Sequence, residues 1–216
     1  DQKTGTRKKD KKSDLMSIPS KKIAGIILAA GASSRMGKIK QLLPFGKTTL
    51  LGQVIQTARK SALHEIIVVL GHCADEIEQA IDLSGTKVIR NTAYPKGQST
   101  SLIKGLETVS PVCDAALFLL GDQPLVTAAI INRLIDAFET SDAPIVIPYC
   151  NGKRGNPVII ARPLFHRLTS LSADTGARAL FDEFKESILN VSIPNDAILI
   201  DVDTIDDYEK LKSKGA

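Results

Sequence analysis

The chain has 216 residues, 43% of them hydrophobic and only 4% aromatic, which suits one domain with a core of Val, Ile, Leu and Ala. No run approaches the roughly 18 apolar residues of a membrane span. Its formal charge of +4 is lopsided, since residues 1–22 hold eight Lys/Arg and three Asp while the rest holds 20 basic and 21 acidic residues, so a nucleic-acid-binding fold is not indicated.

That basic stretch, residues 1–22, is nearly all polar and reads as a disordered tail, with residues 23–216 forming the single folded domain. Cys73, Cys113 and Cys150 are odd in number and lack metal-site spacing, as do the scattered His64, His72 and His166. Free thiols in a reducing cytoplasm follow, with no zinc site.

Along the chain, Ile23 to Ala30 is a short apolar run that reads as a buried strand. It ends at Gly31 in a loop carrying Arg35, Gly37, Lys38 and Lys40. Small residues let backbone N–H groups approach a phosphate, and the cations neutralise it. A P-loop is excluded, because five residues separate Gly31 from Gly37 and Ile39 follows Lys38. Gly46-Lys47-Thr48 imitates a P-loop end, but Gln41 stands where the earlier glycine is needed, and the dinucleotide fingerprint is absent.

Leu50, Leu51, Val54, Ile55 and Ala58 share one helix face. Ile66 to Leu70 reads as a strand, then Ile77 to Ile81 as a helix, Lys87 to Ile89 as a strand and Leu102 to Val109 as a helix. Ala115 to Leu120 is a strand ending at Gly121. Ile130 to Phe138 is a helix that Thr127 caps. Strands are expected at Ile145 to Ile147, Val158 to Ile160, Ile188 to Ile193 and Ala197 to Ile200. Ala179, Leu180, Phe181 and Phe184 share a face of a helix opening near Asp174, and Ile205, Tyr208 and Leu211 mark a closing helix. Residues 151–187 break the rhythm and are expected to shape an acceptor pocket. The alternation predicts an α/β fold, a three-layer, Rossmann-like, mostly parallel sheet with helices on both faces.

Ligands of open α/β sheets sit outside the carboxyl ends of the strands. Three signals fall at such ends: the Gly31 loop, the Gly121-Asp122 turn, and Asp201 with Asp203. Asp122 reads equally as a turn residue or a cation ligand, and Asp203 as a helix N-cap or a ligand, with Asp201 competing for that role. Arg35 and Lys40 read as solvated loop charges or as phosphate contacts.

Several motifs in order resemble the MobA-like nucleotidyltransferases. They are Leu28-Ala29-Ala30-Gly31 with Ser33 and Arg35-Met36-Gly37, Lys40-Gln41-Leu42-Leu43-Pro44-Phe45, Gly97-Gln98-Ser99-Thr100-Ser101-Leu102 and Leu120-Gly121-Asp122-Gln123-Pro124. Arg154-Gly155-Asn156-Pro157-Val158, Asp174-Thr175-Gly176-Ala177-Arg178 and Asp201-Val202-Asp203-Thr204 follow. The chain is most similar to the molybdenum cofactor cytidylyltransferase branch, whose sheet is nucleotide-diphospho-sugar transferase-like.

The resemblance implies an Mg²⁺-dependent enzyme that transfers a nucleoside monophosphate, CMP from CTP, to a small phosphorylated acceptor, molybdopterin cofactor, and releases pyrophosphate. Asp122 and Asp203 would hold Mg²⁺ and Arg35 and Lys40 the phosphates. Leu28, Ala29, Ala30, Gly31, Ser33, Asn91, Gln98, Ser99 and Ser101 would line the nucleotide. The residues leave Ser99 and Ser101 equally open as N-caps. Arg154, Asn156 and Arg178 would meet the acceptor, or serve as a turn and a helix charge. Ala-Ala-Gly at 29–31, where guanosine users carry Ala-Gly-Gly, favours CTP. The expected protein partner is a molybdoenzyme or its chaperone. A sugar- or polyol-phosphate acceptor and a catalytically silent nucleotide carrier are the alternatives.

Overall fold

The structure, a computed structural model, describes residues 20–32, 36–170 and 178–213. Most of the expected tail, residues 1–19, lies outside them. Ser20 to Lys22 are already fastened to the fold. Lys21 Nζ donates to the Phe138 and Ser141 carbonyls, and the Lys22 amide donates to Asp114.

The described strands are β1 (Ile23–Ala29), β2 (Pro44–Phe45), β3 (Thr48–Thr49), β4 (Glu65–Leu70), β5 (Lys87–Arg90), β6 (Ala115–Leu120), β7 (Ile145–Cys150), β8 (Lys153–Arg154), β9 (Val158–Ala161) and β10 (Ile188–Ser192). The α-helices are α1 (Leu50–Arg59), α2 (Ala74–Ala80), α3 (Gln98–Thr108), α4 (Ala128–Glu139), α5 (Phe165–Thr169), α6 (Arg178–Glu183) and α7 (Ile205–Ser213). Eight strands form the main sheet in the order β10-β7-β9-β6-β1-β4-β5, with β8 paired to β7. Pairing is parallel except where β9 meets β6 and β7 and where β8 meets β7.

The apolar runs are explained by burial on both faces. Ile23, Ile27 and Ala29 of β1, with Val68, Leu117 and Leu119, pack under Val54, Ile55 and Ala58 of α1 and Ile131, Leu134 and Phe138 of α4. The alternate residues Ala24, Ile26, Ile67, Val69 and Phe118 pack on the other face against Leu106 of α3 and Leu168 of α5. Gly105 lets α3 lie close, since a Cβ there would meet Ile26 Cγ2 at 2.5 Å. A third cluster, Met36, Leu43, Leu50, Val202, Tyr208 and Leu211, brings α7 back beside the start of α1.

Two expectations are corrected. Ala197 to Ile200 is not a strand: Asp196–Leu199 is a turn of 3₁₀ helix, opened by the Asn195 side chain accepting from the Ala197 amide at 2.6 Å. β7 already has β9 and β10 as neighbours, so no pairing edge is left there. Ser99 and Ser101 are not N-caps either, because α3 starts at Gln98 after Gly97, whose φ of 119° favours glycine. Thr127 does cap α4, accepting from Ile130 N–H. Gly46 and Lys47 form the turn of the β2–β3 hairpin rather than a phosphate loop.

Glu65, at the start of β4, ties the sheet to the loop before β6. It accepts from the Ser110 amide at 2.7 Å and the Cys113 thiol at 3.4 Å, and it pairs with Lys87. Burial raises its pKa, but Lys87 and the Ser110 amide outweigh that and hold it below the ordinary carboxylate value. A depressed acid stabilises the fold above its unfolded pKa of roughly 4.3, and that stability is lost as pH falls through the lower folded value. Glu65→Gln is therefore expected to cost about 1–2 kcal/mol in urea unfolding at pH 7, Lys87 being half exposed and worth little. The deficit should shrink below pH 4, and an equal deficit at both pH values would refute the charge argument.

Candidate active site

The site lies where β1 and β6 end side by side. The Gly121 amide donates to the Leu28 carbonyl at 3.0 Å, which carries the β6–β1 ladder up to the residue before Asp122. A Cβ on Gly121 would stand 3.0 Å from Ala29 Cβ and 3.1 Å from the Leu28 oxygen, so glycine is needed for this close approach. A cleft of about 220 Å³ opens here, lined by Leu28, Ala29, Ala30 and Gly31 from the end of β1, by Lys40 and Asp122, and by Tyr94, Gly97, Gln98 and Ser101.

Lys40 is the electrostatic centre. Its Nζ lies 2.7 Å from Asp122 Oδ2 and 3.1 Å from Asp203 Oδ1. Burial works against the ammonium, but Asp122 and then Asp203 outweigh it and raise the Lys40 pKa, so the side chain stays charged. One ammonium touching both carboxylates brings Asp122 and Asp203 together across the 81 positions that separate them. Thr204, not Asp203, caps α7: its Oγ1 accepts from the Asp207 amide while Asp207 accepts from the Thr204 amide. The N-cap reading of Asp203 therefore fails, and its carboxylate faces Lys40.

Do these residues suit a divalent cation? Asp122 Oδ1 is buried and has no hydrogen-bond partner. A buried carboxylate oxygen in that state is costly unless a cation meets it. Two carboxylates beside a phosphate-sized cleft are also the donor set that Mg²⁺ shares with phosphate oxygens and water. The site fits. Among the described residues no cluster of three or more His, Cys, Asp or Glu is placed to hold a metal by itself.

The other expected residues divide. Leu28, Ala29, Ala30, Gly31, Gln98 and Ser101 line the cleft. Asn91 is 3% exposed, and its amide group is spent on Thr100, Ser101 and the Ala93 amide, so it braces the loop before α3. Ser99 is buried and does not line the cleft. Arg154 and Asn156 flank Gly155 just before β9, whose Val158 pairs with Phe118 of β6, so the antiparallel register puts them at the Asp122 end of the sheet. The Arg154 guanidinium rests 5.6 Å over the Phe181 ring, and the Asn156 amide donates to the Ile198 carbonyl. Ser33, Arg35 and Asp174 to Ala177 lie outside the described residues, as does the Arg178 side chain.

Three contributors were not singled out from the sequence. Gln41, 5% exposed, donates from Nε2 to the Ala29 and Gly31 carbonyls at 2.9 and 3.1 Å and so holds the glycine turn. Tyr94 supplies an aromatic ring to the cleft and lies 3.4 Å from His72 Nδ1 through its hydroxyl. Gln123 is buried and bonds Asp201. Both glutamines stand inside motifs that carry the family resemblance, each directly after a charged residue of the site, Lys40 or Asp122.

A family model for the MobA-like NTP transferase domain matches residues 25–188. The molybdenum cofactor cytidylyltransferase of Escherichia coli (strain K12) is 28% identical over 193 residues, which are 88% of this chain and 95% of that protein. Nicotine blue oxidoreductase of Paenarthrobacter nicotinovorans is 26% identical over 201 residues, 88% and 96% of the two chains. Rv0371c of Mycobacterium tuberculosis H37Rv superposes with a TM-score of 0.81 at 32% identity, covering 90% of this chain and 99% of that one. Its complex with manganese superposes at 0.76, with 30% identity and 89% and 98% coverage.

Proposed function

The chain belongs to the MobA-like NTP transferase family, and from that premise we propose that it is an Mg²⁺- or Mn²⁺-dependent cytidylyltransferase acting on a molybdopterin-type phosphorylated acceptor. The observation that carries this reading is the Asp122–Lys40–Asp203 constellation at the mouth of the Gly31 cleft. The acceptor phosphate attacks the α-phosphorus of the nucleotide and pyrophosphate leaves. Gln41 holds the chain where it leaves β1 at Gly31, and the glycine loop is assigned by its motif the task of offering backbone N–H groups to the phosphates. Lys40 carries a fixed positive charge toward the leaving pyrophosphate, and Arg35 is assigned the same task by its motif. Asp122 and Asp203 would hold the divalent ion, which when bound neutralises charge on the transferring phosphate. Rv0371c has been solved with manganese, which supports a divalent site in this group of folds. Positioning and electrostatics supply the rate, and no covalent enzyme intermediate is needed.

Choice of CTP rests on Ala29 and Ala30, each 4% exposed and part of the cleft wall. A Cβ at 30 narrows the space for a two-ring base. The test is pyrophosphate release from each of the four NTPs with and without molybdopterin cofactor. CTP should lead, and Ala30→Gly should narrow the CTP/GTP ratio of kcat/KM, by no more than the roughly 1–3 kcal/mol that one methyl is worth. A wild-type preference for GTP would remove the cytidylyl assignment and leave nucleotidyl transfer standing.

A further inference from the structure

Asp201 and Asp203 compete on paper for one role, and the fold gives them different neighbours. Asp203 meets Lys40 at 3.1 Å, whereas Asp201 Oδ1 accepts from Gln123 Nε2 at 2.5 Å. Between them Val202 is fully buried, and its amide donates to the Asp122 carbonyl at 3.1 Å. Three successive residues of this segment are thus fastened to Asp122, Gln123 and Lys40. Asp201 is held through its side chain, Val202 through its main chain and Asp203 through the ammonium. The Thr204 cap then fixes the chain as it enters α7.

Gln123 is an expensive residue for its position. It is 3% exposed and its Oε1 has no hydrogen-bond partner. A buried, half-satisfied amide costs about 1–3 kcal/mol, which a packed Leu or Met would avoid. Stability alone therefore does not account for it. What the amide does supply is a donor to Asp201, at the residue next to the candidate metal ligand Asp122 and across 78 positions of chain.

We propose that Gln123 and Asp201 form a latch that positions Asp203 for the metal, so that Asp201 is a positioning residue and not a ligand. The inference rests on Asp122 and Asp203 being the metal-holding pair. Loss of an outer-shell partner of a metal ligand weakens metal binding by roughly 10–100-fold. Asn at 201 keeps an acceptor oxygen for the Gln123 amide, whereas Ala does not.

The test is Mn²⁺ alone, titrated against the purified full chain and followed by the EPR signal of the free ion, with a melting curve for every variant. Gln123→Leu and Gln123→Met should melt at or above the wild-type temperature, and Asp201→Ala below it because it leaves the buried Gln123 amide without its acceptor, yet all three should bind Mn²⁺ roughly 10–100-fold more weakly. Asp201→Asn should stay close to wild type. Two glutamine replacements guard against one of them misfolding. If Asp201→Asn binds as poorly as Asp122→Ala, Asp201 is itself a ligand and the latch is overturned. If Asp122→Ala loses Mn²⁺ but both Gln123 variants bind like wild type, the latch fails while the metal pair survives. If Asp122→Ala binds Mn²⁺ as wild type does, the metal reading falls and the latch with it.

Discussion

Asp122→Ala is expected to reduce turnover on the order of 10³-fold while leaving the fold intact. The two halves of that expectation have separate causes. Turnover falls because Asp122 stands at the end of β6, beside the cleft, with one oxygen on Lys40 and the other buried without a partner. If Asp122 holds the metal as proposed, its removal forfeits several kcal/mol of transition-state stabilisation. The fold survives because what Asp122 contributes to architecture is its main chain. Its carbonyl accepts from the Val202 amide, and the Gly121 amide before it is bonded to the Leu28 carbonyl of β1. The substitution also deletes an unsatisfied buried oxygen, which offsets the loss of the Lys40 pair. The measurement is steady-state pyrophosphate release alongside a melting curve. A second readout uses binding linkage: Mn²⁺ with CTP should raise the melting temperature of wild type and not of the variant. A folded variant with near wild-type turnover would return Asp122 to the role of a turn residue.

The layers of this fold were open to sequence reading because its apolar periodicity is strong. Ile23 to Ala30 and Ala115 to Leu120 are apolar on both faces, and the structure buries both faces. Ala197 to Ile200 was misread because a short apolar run carries no period, and here a capped 3₁₀ turn buries Ala197 and Ile198 without any sheet edge. Of the candidate site, the charged members Asp122, Asp203 and Lys40 stood out in the sequence, and the structure brings the three into contact. Its buried braces did not stand out. Gln41 and Gln123 act through carbonyls and carboxylates that are close only in space, and nothing in their immediate sequence says which atoms they meet. Ser99 and Ser101 show the converse. Hydroxyls before an apolar helical pattern imitate an N-cap, but Gly97 opens the helix from a backbone conformation that serine adopts rarely.

Lys40→Ala is expected to move two observables in opposite directions. Turnover should fall by about 10²–10³-fold, the usual consequence of removing one preorganised donor from a developing charge. Affinity for Mn²⁺ in the absence of nucleotide should instead rise. In the free enzyme the ammonium sits on both carboxylates, at 2.7 and 3.1 Å, and so competes with any cation for the same oxygens. Its pKa is raised despite burial, so deprotonation near neutral pH does not relieve the competition. Taking it away removes the positive charge that both Asp122 and Asp203 now touch in a partly buried site, which favours a divalent ion. In wild type, Asp122 and Asp203 would hold a divalent ion only once Lys40 has left their oxygens, and nucleotide phosphates would supply the ammonium with a replacement partner. The experiment pairs Mn²⁺ titration of the free protein with kcat and KM for CTP. Lower turnover with weaker Mn²⁺ binding would mean that Lys40 props the carboxylates in position instead of competing for them. Unchanged turnover would remove Lys40 from the phosphate site altogether.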